Sequence, residues 1–274
     1  VLALTASPGS TKESVTEVVR NLWIERIEWR TEEDEDVRPH IPGVRTTWIR
    51  VRLPEKYERV RDVIRRAIEK RVEALRSAGL VGSEVEVNRK VLLSVMERLK
   101  SEAGAGARGP RMRFLQVISQ VLSFYHALEL IESQHVTALL SYLRSLRESE
   151  LRSHASIVRS EDYAELLRAA EECKVDHPKV TALVNEVRAH LAERPEDRVL
   201  VFANIRVTAE VLVEKIRAEG IQATLFVGKA EGKGGPRMTQ EEQMRVLRDF
   251  REGRVKVLVA TSIGEEGLDV PECG

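Results

Sequence analysis

Cysteine is scarce: Cys173 and Cys273 are the only two, far apart and without a C-x-x-C partner. That spacing offers neither a disulfide framework nor a zinc module, and it fits a reducing, cytoplasmic setting. No excess of one charge exists either, because 44 Lys and Arg balance 44 Asp and Glu. Overall charge therefore gives no reason to expect nucleic acid, and any basic surface has to be local. No charged leader with an apolar stretch opens the chain, and no apolar run approaches the ~18 residues of a membrane span, so no membrane is expected. No metal is expected: Cys173, Asp176 and His177 stand just before a proline, the pattern of a capped helix start rather than of a ligand set. What the chain does have is 274 residues, 42% of them apolar, enough to bury the core of one large or two smaller domains.

Three zones follow one another. In the first, residues 1–43, VLAL reads as a short apolar strand, TASPGS as a turn, and Ser10 or Thr11 as the cap of an amphipathic helix running toward Trp23. An acidic connector, EEDED then VRPHIPG, follows, and residues 44–54 (TTWIRVRLP) alternate like a linking strand with one exposed face, ending at Pro54. From 55 to 175 apolar residues recur at three- and four-residue spacing, interrupted at Gly79 and Gly82, at GAGARGP and at RSHAS, which predicts a bundle of about four helices. From 176 to 274 Val- and Leu-rich strands alternate with amphipathic helices closed by glycine. That is the pattern of α/β structure, a parallel sheet with helices on its faces, and ligands of such sheets gather at the carboxyl ends of the strands. Asn204 to Thr208, Gly228 and the loop Thr261 to Asp269 lie at those ends. In that last loop Gly264 and Gly267 permit close backbone approach to a phosphate or sugar.

The ordered series VFANIRVTAE, FVG, MTQEEQMRVLRDFREG and VLVATSIGEEGLDVPE closely resembles the second motor domain of superfamily 2 helicases, with VFANIRVTAE matching motif IV and ATSIGEEGLDVPE motif V. The opening TASPG then resembles motif III, the end of the first motor domain. Together with a helical insertion of over a hundred residues containing DHPK at 176 to 179, these motifs look most like the archaeal Hef helicase/nuclease group, with the Fanconi anaemia group M translocases and the innate-immune RNA helicases as relatives. The fold so implied is an incomplete RecA-like parallel sheet carrying a large all-helical insertion domain.

The resemblance implies roles for single residues. Gly267 and Asp269 approach the nucleotide, while Thr261 and Ser262 face the nucleic-acid backbone. Asn204, Arg206 and Thr208 begin a helix whose free N–H groups can receive a phosphate. Gly228, Gln240 and Gln243 line the same strand-tracking groove, and Thr5 and Ser7 sit between the motor halves and couple them. The chain departs from the family where ATP hydrolysis needs a phosphate cradle and a magnesium-binding acidic pair, because neither G-x-x-x-x-G-K-[ST] nor the acidic pattern occurs. GKAEGK from Gly228 to Lys233 has the wrong spacing and no Ser or Thr after its lysine. Motif VI is absent too. The expectation is a fragment from motif III to motif V, whose parent uses ATP and Mg2+ but which binds neither alone, lacking its first RecA-like domain, and is inactive by itself.

Local basic excess marks two surfaces of the insertion. One runs through Arg45, Arg50, Arg52, Lys56, Arg59, Arg61, Arg65, Arg66, Lys70 and Arg71; the other is the glycine-flanked Arg108, Arg111 and Arg113. Either can neutralise phosphates. Glu and Arg at four-residue spacing on a long helix equally make a solvated, ion-paired face. The resemblance favours binding, since in the Hef group this insertion recognises branched or forked DNA, and it implies a DNA helicase or translocase of fork repair. A duplex-RNA helicase fragment and a non-catalytic nucleic-acid-binding module remain the alternatives.

Overall fold

The computed structural model describes residues 11–31, 33–40, 45–101, 110–227 and 238–261. These fall into two compact units divided after Trp48. In the first, helix α1 (Lys12–Asn21) starts from Thr11, whose hydroxyl accepts from the Ser14 N–H while the Ser14 hydroxyl accepts from the Thr11 N–H. No residue of α1 is buried, and a single 3-10 turn (Arg38–His40) is the other regular element. Residues 45–54 form no strand, contrary to the alternating pattern of TTWIRVRLP. A strand needs a hydrogen-bonding neighbour, and this stretch has none among the described residues.

The second unit begins as a bundle of α2 (Glu55–Ser77), α3 (Arg89–Ser101), α4 (Pro110–Ser133), α5 (Val136–Glu148), α6 (Arg152–Val158) and α7 (Glu161–Glu172). Six helices stand where the periodicity suggested about four, and RSHAS, read as a break, is itself helix α6. The breaks are made instead by caps: the His135 ring accepts the Thr137 N–H at α5, and the Ser160 hydroxyl accepts the Tyr163 N–H at α7. Helix α2 supplies the spine: its Tyr57, Ile64 and Leu75 share one buried core with Ile118 and Ile131 of α4, Leu139 and Leu143 of α5 and Leu166 of α7. Helix α4 is long and apolar enough, by length and composition, to cross a membrane, which the sequence reading had not recognised. Its Ile118, Val121, Phe124, Ala127, Leu130 and Ile131 are core residues of the bundle.

The chain then enters α8 (Pro178–Glu193), β1 (Val199–Ala203), α9 (Arg206–Ala218), β2 (Ala223–Phe226), α10 (Gln240–Arg251) and β3 (Val257–Thr261). The strands form a parallel sheet of order β1-β3-β2, with Ala203 of β1 level with Thr261 of β3. Period-two alternation sorts β3 between two layers. Val257 and Val259 pack with Val184, Leu212 and Ile216 of α8 and α9, whereas Leu258 and Ala260 pack with Phe250 of α10. Gly220 and Gly253 follow α9 and α10 with φ of +79° and +73°, a conformation an L side chain resists, so each glycine ends its helix as expected.

Candidate nucleic-acid interface

Because all three strands are parallel, their carboxyl ends lie along one edge, and the N-termini of α9 and α10 open at that same edge. Asn204 is exposed immediately after β1, and Arg206 begins α9 with its guanidinium Nε 2.9 Å from Glu210. Ile205 stands between them in the cap position, and its side chain makes no capping hydrogen bond, which leaves first-turn N–H groups available to an anion. Gln240 stands exposed at the start of α10. Gln243 is engaged: its amide Nε2 donates to the Val227 carbonyl at 2.9 Å, tying α10 to the end of β2. Thr261 is nearly buried at the end of the central strand. Thr208 is also nearly buried, and its hydroxyl donates 2.8 Å to Gln134 Oε1 in the turn between α4 and α5. The edge thus gathers Asn204, Arg206, Thr208, Gln240, Gln243 and Thr261. Thr5, Ser7, Gly228, Ser262, Gly267 and Asp269 lie outside the described residues.

A cavity of about 270 Å³ opens at the end of β1, lined by Gln134, His177, Lys179, Asn204 and Thr208 among others, with no carboxylate among the described residues that line it. His177 is 1% exposed, caps α8 by accepting the Lys179 N–H at 3.2 Å, and meets Tyr57 of α2 edge-on with ring centroids 5.1 Å apart. Burial is the main cause that pushes its pKa down to about 4, helped by the Lys179 charge. Cys173 is buried, its thiol pKa raised chiefly by that burial, and no metal cluster occurs among the described residues.

The two basic surfaces differ in what neutralises them. Along α2, Arg59 pairs with Glu55, Arg65 with Glu132 of α4 at 3.0 Å and Arg66 with Glu165 of α7 at 2.6 Å. Arg71 is the most embedded: Nη1 lies 2.7 Å from Asp162, Nε 2.9 Å from Gln120, and the guanidinium 4.5 Å over the Phe124 ring. These arginines bind the bundle to itself. At the start of α4 the pattern reverses. Arg113 is exposed, has no ion pair among the described residues, and sits in the opening turns of a 24-residue helix whose first turn carries no acid. A cation there opposes the positive end of the helix dipole. Arg111 beside it already makes an interaction within the chain.

Known families and proteins match this architecture zone by zone. The family described as "Helicase conserved C-terminal domain" matches residues 178–274, and the one described as "Putative ATP-dependent RNA helicase, helical bundle" matches 56–177. The helicase domain of Pyrococcus furiosus Hef superposes with a TM-score of 0.68 at 36% identity, over 97% of this chain and 56% of that one. Between them the two helicase models account for residues 56–274. Among curated relatives of the chain, a Methanocaldococcus jannaschii protein named "Putative ATP-dependent RNA helicase" is 37% identical over 99% of the chain and 34% of its own length. The ATP-dependent DNA helicase mph1 of Sclerotinia sclerotiorum and the Drosophila melanogaster DEAD-box ATP-dependent DNA helicase Fancm are each 29% identical over 99% of the chain, covering 24% and 20% of their own lengths. The chain therefore spans about a third or less of the curated relatives it matches.

Sequence reasoning had not assigned Gln134, which bonds Thr208, or His135 and Lys215, which both contact Asp176, and had weighed Asp176 only as a metal ligand or cap. A signal existed in the DHPK segment, where Asp176 and His177 both reach back into the bundle.

Proposed function

We propose that this chain is part of an ATP-dependent DNA helicase or translocase of the Hef type, acting in the cytoplasm on forked or branched DNA in replication-fork repair. Residues 55–175 serve as the insertion that contacts the junction, and residues 176–274 serve as the second RecA-like lobe, whose carboxyl edge holds one strand through Asn204, Arg206 and the N-terminus of α9. Gly228, Gln240, Gln243, Thr261 and Ser262 continue that groove. Gly267 and Asp269 meet a nucleotide held, with Mg2+, chiefly by a first lobe, and Thr5 and Ser7 couple the two lobes. The described residues include no triphosphate cradle, so no catalytic step is assigned to them.

The observation that carries the nucleic-acid reading is Arg113. A cation without an ion pair in the opening turns of a long helix costs the fold stability, and phosphate is the anion a helicase meets. The acid-free cavity with Lys179 and Asn204 at the end of β1 supports a second contact on the same strand. Titrating the chain with forked DNA, plain duplex DNA and duplex RNA at two salt concentrations tests this. Preference for the fork with a steep loss of affinity in salt is expected; binding to none of the three overturns it. The names of one family and one relative favour a second reading, a duplex-RNA helicase, and tighter binding of duplex RNA than of forked DNA would establish it.

A further inference from the structure

We propose that Asp176 is a positioning residue that fixes α9, and with it the motif IV residues at the end of β1, to the insertion bundle. Its Oδ1 lies 3.2 Å from His135 Nε2 in the α4–α5 turn, and its Oδ2 lies 2.7 Å from Lys215 Nζ on α9. One carboxylate thus bridges the two parts of the chain. Burial alone would raise the Asp176 pKa, but Lys215 and His135 together outweigh it and hold the group ionised below its ordinary value. The other ring nitrogen of His135 is committed to Thr137, 3.0 Å from its hydroxyl, so the imidazole cannot swing away without uncapping α5.

Two further ties join the same helix to the same part of the bundle. Thr208 bonds Gln134, and Ile205 packs onto the bundle core. Thr208 and Lys215 are seven residues apart, two turns, and so share one face of α9. The plain alternative is a surface ion pair of little consequence, since the Asp176 and Lys215 side chains are 35% and 41% exposed. Convergence argues otherwise. A nearly buried hydroxyl and a bridging carboxylate hold α9 to Gln134 and His135, and Ile205 just before the helix packs onto the bundle core, so α9 cannot shift against the bundle without breaking them together. Any tilt of the insertion is passed on to Asn204 and Arg206. This inference depends on the contacts alone and stands whichever nucleic acid is bound.

Amide hydrogen exchange on the whole chain tests it. In Lys215→Met and Asp176→Ala, the hydrogen-bonded amides of α9, from Ala209 onward, should exchange about tenfold faster while those of α5 keep their protection, because a charge-assisted tie to α9 is lost and the bundle is not. Lys215→Arg should restore α9. If Asp176→Ala fails to fold, Asp176→Asn keeps an acceptor for His135 but turns an amide NH2 toward Lys215, so the Lys215 tie loses both its charge and its acceptor. Equal acceleration in α5 and α9, or none in α9, would overturn the proposal, and failure of Lys215→Arg to rescue would do the same.

Discussion

Arg113→Glu should make the protein more stable and a worse binder at once. The present arginine meets the positive end of α4, an unfavourable interaction of about 0.3–1 kcal/mol, and glutamate there gains a similar amount, so the exchange is worth about 1 kcal/mol in favour of the fold. For a chain of this size that is roughly 2–4 °C in Tm. The side chain is exposed and α4's core residues begin further along, so no packing loss offsets the gain. On DNA the sign is opposite. Loss of one phosphate contact lowers the slope of log K against log salt by about 0.9, and the new carboxylate adds repulsion. Differential scanning calorimetry and fluorescence anisotropy with a forked oligonucleotide read the two effects separately. A fall in Tm would show that Arg113 serves the fold, and unchanged affinity would show that α4 faces away from DNA; either refutes the argument.

Arg65→Ala with Arg66→Ala should leave the affinity for the same fork within about twofold, since both guanidinia already answer to Glu132 and Glu165. Arg71→Met should cost roughly 2–3 kcal/mol in urea unfolding, because Asp162 and Gln120 lose their shared partner in a site where the Arg71 side chain is 11% exposed. Acid should weaken the bundle–sheet junction through His177: the unfolded chain protonates it near 6.5, the folded protein only near 4. Stability from this group is therefore complete above pH 6.5 and is lost as pH falls toward 4, by roughly 3 kcal/mol in all. His177→Asn, which keeps a capping oxygen, should flatten that part of the stability-against-pH curve; an unchanged curve would count against it.

The sheet was legible because β3 is an apolar run that stays buried on both faces, and because α9 and α10 end at glycines whose backbone no other residue adopts easily. The bundle was legible in type but not in count. His135 and Ser160 start new helices by side-chain capping, without the Gly or Pro that punctuates a sequence. TTWIRVRLP misled because alternation records which residues could face a core, not whether a neighbouring strand exists. The arginines of α2 show why charge was hard to read. Their neutralising acids were sought four residues away, yet Glu132 and Glu165 lie 67 and 99 residues downstream of Arg65 and Arg66. Only folding brings them within reach. The same holds for Asp176, whose meaning depends on two side chains from different parts of the chain.

The strand order sets a timetable for biosynthesis. β3 lies between β1 and β2 and is the last of the three to leave the ribosome, so Val199 waits for Val257, its strand partner among the described residues. At ~5–20 residues per second two sticky apolar strands wait for seconds, while the largely local helical contacts upstream can already close. The nascent lobe is thus most exposed to mispairing during that interval, and slowing translation just before codon 257 should lower its soluble yield.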